Sequence, residues 1–206
     1  MAHYRQSVTD ALLAGGTLVM LRQVHSAICV SVAEPWDYPE RPEGDALVTD
    51  RPGAILGLVT ADCAPVLFAD RQAGVIGAAH AGWRGAAAGA LENTLALMER
   101  LGAARERIAA AIGPTIAQAN YEVEEAFRGG FPAGADSFFS AGRAGHWQFD
   151  LPGYVADRLQ RSGIRQVEDL ALDTYAHPAQ FHSYRRATHL GEERNGRQVS
   201  AIALPL

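Results

Sequence analysis

Between Thr17 and Ala79 six short apolar and β-branched runs follow one another, most of them cut by Gly, Pro or Asp, with no helical pattern between them. Runs of this kind read as strands. They cover Thr17 to Val24, Ile28 to Val32, Ala46 to Thr49, Ala54 to Thr60, Pro65 to Ala69 and Gly74 to Ala79. Only then does the period change. Leu91, Leu95 and Met98 recur at helical spacing ahead of Gly102, which predicts an amphipathic helix over Ala86 to Leu101. Strict β-α-β alternation is therefore absent, and the expected class is α+β, or irregular α/β, with mixed β-sheets flanked by helices.

The second half carries fewer strand signals. Ile108 to Ile112 reads as a strand, Glu122 to Arg128 as a short helix, and Pro152 to Arg161 as a helix stopped by Gly163. Val167 to Leu172 and Ser200 to Leu204 read as closing strands, and Tyr4 to Ala14 is compatible with a short helix. Gly129 to Gly145, rich in Gly, Ala, Ser and Phe, is the expected long surface loop. The chain of 206 residues fits one domain spanning residues 1–206.

Charge and cysteine content exclude several roles. A formal net charge of −5, from 18 Lys plus Arg against 23 Asp plus Glu, offers no basic stripe for nucleic-acid phosphates. No apolar run approaches the ~20 residues needed to span a bilayer, and Met1 to Asp10 is too polar for a secretory signal. Cys29 and Cys63 are too few for a disulfide framework. A cytoplasmic protein without nucleic-acid or membrane partners is expected. Cys29, within A-I-C-V-S-V, reads as a small buried hydrophobe.

Three other residues stand out chemically. His25 closes L-R-Q-V-H-S, Cys63 lies in A-D-C-A-P-V-L, and His80 opens H-A-G-W-R-G after a strand. Two imidazoles and a thiolate are zinc-ligand types, and three ligands leave an open coordination position, as in catalytic sites. The turn after His80 adds Gly82 and Gly85, which let backbone approach a ligand, and Arg84, a planar cation suited to phosphate or carboxylate. Asp62 interrupts an apolar run, where an acid is costly without a partner. It would orient a ligand, transfer a proton or cap a turn. The other histidines, His3, His146, His177, His182 and His189, lie without paired spacing, and no H-E-x-x-H, P-C-x-x-C, Walker A or G-x-S-x-G pattern occurs.

Q-V-H-S at Gln23 to Ser26, G-D-A-L-V-T at Gly44 to Thr49, A-D-C-A-P-V-L at Ala61 to Leu67 and H-A-G-W-R-G at His80 to Gly85 form an ordered series. It continues with I-G-P-T-I at Ile112 to Ile116, Y-E-V at Tyr121 to Val123 and S-Y-R-R at Ser183 to Arg186. The series resembles the YfiH-type family, which carries a polyphenol oxidase or laccase-domain label and whose members are regarded as zinc-dependent purine nucleoside phosphorylases with adenosine deaminase and methylthioadenosine phosphorylase activity. The resemblance implies a YfiH-like cysteine hydrolase fold of mixed sheets flanked by helices, and metal ligands at His25, Cys63 and His80. Two departures stand out. Relatives usually have a longer segment ahead of Q-V-H, where substrate-binding groups would lie, and many have Cys-Thr where this chain has Asp173-Thr174.

The expected function is phosphorolysis of adenosine or inosine to free base and ribose 1-phosphate. Arg84 and Arg185 would hold phosphate, Tyr121 would stack on the base, Asp62 would transfer a proton, and zinc would act as a Lewis acid. Copper is the alternative metal, because two His and one Cys also make a blue-copper ligand set, and phenol oxidation the alternative reaction. Multicopper clusters, however, need many paired histidines, and this chain has seven with no H-x-H. A metal-free thiol hydrolase, with Cys63 activated by His80 and a cell-wall precursor as substrate, is a further alternative.

Overall fold

The computed structural model describes residues 2–193 and 196–205. In chain order the elements are α1 (Ala2–Leu12), β1 (Thr17–Val19), β2 (Cys29–Ser31), β3 (Ala46–Thr49), β4 (Ala54–Thr60), β5 (Ala64–Asp70) and β6 (Val75–Ala81). There follow α2 (Trp83–Ala87), α3 (Ala90–Arg100), β7 (Ala109–Ile112), β8 (Glu122–Glu124), β9 (Phe139–Ala141), β10 (His146–Phe149), α4 (Leu151–Arg161), β11 (Gln166–Asp169), α5 (Tyr184–Leu190) and β12 (Gln198–Ala203).

Six strands form a mixed sheet in the order β11-β7-β5-β6-β3-β2, parallel at its two outer pairs and antiparallel inside. One face packs on α3 and α4, and the other packs on a three-stranded sheet, β1-β4-β12. Burial on both faces explains why the central strands read as continuous apolar runs. Alternate residues serve two cores: Val48, Val66, Phe68 and Ala79 meet Leu91, Leu95 and Met98, while Leu47, Ile76 and Ala78 meet Val19, Leu56 and Leu58. A third small antiparallel sheet, β8-β10-β9, is hydrogen-bonded to neither of these sheets, yet its Val123, Phe139 and Phe149 join the core under the large one. No described helix is long and apolar enough to cross a membrane.

Several expected elements are corrected. The run Thr17 to Val24 is a strand only as far as Val19, because the chain then turns off to pair Arg22 with Pro42 and Gly44 and to wrap residues 24–26 round a carboxylate. The helix over Ala86 to Leu101 is two helices, broken at Gly89, whose φ of 95° no helix accommodates. Glu122 to Arg128 is strand β8 followed by a 3-10 turn, Glu125–Gly130, since pairing with β10 and the packing of Phe127 among Tyr121, Phe131, Phe139 and Phe149 outweigh local helix preference. Gly129 to Gly145 is not a plain surface loop. Phe131, Phe138 and Phe139 anchor it, and it contributes β9 to the small sheet.

The register of β5 against β6 gathers several loops at one end of the large sheet. Ala64 lies opposite Ala81 and Pro65 opposite His80, so the turn before β5 meets the end of β6. The His80 N–H donates to the Asp45 carbonyl, which brings the start of β3 to the same end of the sheet.

Candidate metal centre

His25, Cys63 and His80 come from three separate segments and converge there. One ligand atom from each lies within 4.8 Å of the others, and the His25 and His80 rings meet edge to face with centroids 4.8 Å apart. Two atoms bound to one zinc at about 2.0–2.3 Å can be at most about 4.6 Å apart, so small side-chain rotations suffice to enclose an ion. Among the described residues no other group of three such side chains occurs. His80 is buried, Cys63 half-buried and His25 exposed, which leaves the group open on one side.

Asp45 organises this corner. Its buried carboxylate accepts from His80 Nδ1 at 2.8 Å and from the His25 N–H at 2.9 Å through Oδ1. Through Oδ2 it accepts from the Ser26 N–H at 2.5 Å, the Ser26 hydroxyl at 2.7 Å and the Val24 N–H at 3.3 Å. One carboxylate thus fixes the His80 tautomer, leaving Nε2 free to face Cys63, and holds the backbone of His25 at a left-handed φ of 60°. Burial opposes the charge, but bonds from His80 and Ser26 outweigh it and depress the carboxyl far below the usual range. Sequence alone assigned Asp45 no role, although a lone acid between Gly44 and a fully buried strand is a visible anomaly.

Burial pushes the Cys63 thiol up, yet hydrogen bonds from His25 and His80 prevail and bring it down to about 6. Burial pushes His80 down, and Asp45 and Cys63 raise it to about 9. The protein therefore favours a Cys63 thiolate, which is the form a metal ligand or a thiol nucleophile requires. Cys29 behaves oppositely. Half-buried beneath Thr94, it is pushed up to about 12 mainly by desolvation, as an inert packing thiol should be. Gly82 is required by space alone: its φ of −66° suits any residue, but a Cβ there would lie 2.9 Å from Cys63 Sγ and 3.2 Å from the His25 ring.

The group lies on the wall of a cleft of about 640 Å³, also lined by Asp62, Trp83, Arg84, Tyr121 and Arg185. His25, Asp62, Cys63, His80, Arg84, Tyr121 and Arg185, the residues given site roles from the sequence, thus line one cavity. Arg84 is exposed, with its guanidinium 4.7 Å from the Trp83 ring centroid, and Trp83 is wedged against Phe127 and Phe131. Arg185 lies 5.3 Å from the Tyr121 ring centroid and donates to the Glu122 carbonyl at 2.6 Å. Tyr121 itself packs edge-on against Phe149, and desolvation raises its hydroxyl well above the usual range.

Asp62 has a different setting from its neighbour. Its φ is 89°, and its two carboxylate oxygens accept from the Thr174 hydroxyl at 2.6 Å and the Arg185 N–H at 2.7 Å. Of the roles open to it in the sequence, this geometry favours positioning: both oxygens anchor α5 and the residues before it to the turn that carries Cys63.

A family profile described as "Multi-copper polyphenol oxidoreductase laccase" matches residues 1–205. A purine nucleoside phosphorylase of Rickettsia conorii is 34% identical over 204 residues, covering 97% of this chain and 83% of its own length. One from Deinococcus radiodurans is 39% identical over 206 residues, covering 100% and 78%. Among solved structures, a DUF152-family protein of Neisseria meningitidis superposes with a TM-score of 0.87 at 33% identity, over 98% of this chain and 80% of that one. The protein YfiH of Bacillus licheniformis gives 0.88 at 29% identity, over 98% and 80%. The chain belongs to this laccase-like YfiH/DUF152 family and has its mixed-sheet fold.

Proposed function

We propose that the protein is a zinc-dependent purine nucleoside phosphorylase, converting adenosine or inosine and phosphate to free base and ribose 1-phosphate. The observation that carries this reading is the His25-Cys63-His80 group opening into a cleft that also holds Arg84 and Arg185. Relatives named purine nucleoside phosphorylase support it. Metal ligands beside anion-binding guanidiniums suit an anionic co-substrate better than a phenol, and the single group of ligands among the described residues disfavours a multicopper cluster.

Arg84 and Arg185 hold the phosphate and aim one of its oxygens at the ribose C1′. Fixing two reactants in line removes much of the entropic barrier of a two-substrate reaction. As the C1′–N9 bond breaks, its electron pair leaves with the purine, and a P–O–C1′ bond replaces it. Tyr121, rigid against Phe149, supplies a flat surface for the base. Asp62 keeps Arg185 at its station through the backbone N–H. A zinc ion on His25, Cys63 and His80 would supply Lewis-acid stabilisation of charge developing on oxygen. The same cleft would take adenosine for deamination and methylthioadenosine for phosphorolysis, and the two free cysteines accord with a cytoplasmic setting.

The test is elemental analysis of the purified protein, paired with product analysis of adenosine incubated with and without phosphate. His80→Ala should lose the metal and phosphate-dependent ribose 1-phosphate formation while keeping its fold. Continued turnover by metal-free His80→Ala protein refutes the reading, and stoichiometric copper without zinc refutes the metal assignment.

A further inference from the structure

Arg84 and Arg185 stand on α2 and α5. Other residues lining the cleft come from different segments: Arg22 after β1, Tyr38 and Arg41 around the 3-10 turn Tyr38–Glu40 between β2 and β3, and Arg197 before β12. Five arginines line the cleft against one carboxylate, Asp62, whose oxygens are both engaged. In a chain of net charge −5 this is a local reversal of sign, which concentrates anions where low-dielectric walls focus the field.

The cleft holds more cation than one inorganic phosphate needs. Arg22 is paired with Glu43. Arg41 makes no ion pair among the described residues: its guanidinium lies 3.9 Å from the Tyr38 ring centroid and donates to the Tyr38 carbonyl at 2.9 Å. A second guanidinium, from Arg5, lies 4.2 Å from the same centroid. Arg41 is therefore fixed in place by neutral partners, and its charge is not cancelled. A fixed, uncancelled guanidinium is a prepared anion site.

Resting on the nucleoside reading, the geometry points to a second anion subsite at Arg41, which takes a phosphate ester carried on the nucleoside itself. The preferred ligand class is a purine nucleoside 5′-phosphate: base near Tyr121, inorganic phosphate at Arg84 and Arg185, ester phosphate at Arg41. A cleft of about 640 Å³ lies within the usual range of small-molecule sites, about 300–1,000 Å³.

Calorimetric titration of the purified protein with adenosine, adenosine 5′-monophosphate and inorganic phosphate tests this. The monophosphate should bind about tenfold or more tightly than adenosine at low salt, and the gap should narrow as salt rises. Arg41→Gln should reduce the monophosphate to adenosine's affinity and leave adenosine unchanged, while Arg41→Lys, which keeps the charge, should retain most of the gap. Saturating inorganic phosphate should leave the gap intact, because Arg84 and Arg185 rather than Arg41 hold it. Equal affinities, a gap that survives Arg41→Gln, or a gap erased by inorganic phosphate overturns the second subsite while leaving the nucleoside reading standing. If adenosine itself fails to bind, the nucleoside reading falls, and the subsite falls with it.

Discussion

Asp45→Asn separates what orients the proposed metal ligands from what merely fills space, since the side chains are nearly isosteric. The carboxylate has five donors, two on Oδ1 and three on Oδ2, and an amide can accept on one atom only. With its NH2 in the place of Oδ2, the Val24 and Ser26 N–H groups face a donor. With NH2 in the place of Oδ1, the His25 N–H is stranded, and His80 must accept at Nδ1, which moves its proton to Nε2, the atom needed for metal. At about 1–3 kcal/mol for each stranded donor, the fold should lose about 2–6 kcal/mol in the first orientation and about 1–3 kcal/mol in the second, out of the 5–15 kcal/mol typical of a domain. Zinc affinity should fall about 10–100-fold, as for other partners that orient a ligating histidine. Urea unfolding of the metal-free protein measures the first quantity, and competition with a chromophoric chelator measures the second. Zinc affinity within about twofold of wild type would refute the reasoning even if stability fell, because Asp45 would then hold the backbone without orienting His80.

Gly82→Ala should act on the site alone: its backbone is already compatible with alanine, so the midpoint of unfolding should hold while the added Cβ, 2.9 Å from Cys63 Sγ, weakens zinc binding and turnover. Iodoacetamide should label Cys63 in chelated protein near neutral pH, since the thiol is lowered to about 6, and should be blocked by bound zinc; labelling at full zinc occupancy would instead favour a thiol nucleophile. Far from the site, buried Asp70 accepts from the Gln72, Ala73 and Ala104 N–H groups and from Arg107. Desolvation opposes its charge, but these bonds win and its carboxyl is lowered. A lowered folded value means stability that is complete above the unfolded value of about 3.9 and lost as pH falls through the folded one, so Asp70→Asn should flatten the acid limb of a urea-midpoint profile.

The central strands were legible because both of their faces are buried, so that hydrophobicity alone marks Ala54–Thr60 and Val75–Ala81 to within a residue or two. Boundaries failed where long-range polar bonds or aromatic packing decided the backbone. Nothing local in Leu21 to Ser26 announces that a carboxylate some twenty positions ahead will bend it, and nothing local in Glu122 to Arg128 announces β10. The three ligand types were visible because His and Cys are rare and chemically distinct. Asp45 was hidden among 23 acids, and Arg41 was hidden because it lies on a segment that only the fold brings to the same cleft as α2 and α5.

Strain concentrates where the chemistry would be. Three non-glycine residues among those described have positive φ, and two of them are His25 and Asp62, one a proposed ligand and the other adjacent to one. A left-handed residue of this kind costs about 1–3 kcal/mol and persists only when its surroundings over-determine it. Each is held by a carboxylate: Asp45 grips the His25 N–H, and the carboxylate of Asp62 grips Thr174 and the N–H of Arg185. Cys63 and Arg185 are thereby joined through a single residue, and so are His25 and His80. The proposed metal ligands and one of the proposed phosphate-binding arginines thus fall into two pairs, each braced by one carboxylate. Substitutions at Cys63 and Arg185 should therefore combine non-additively even though the two side chains would touch different partners.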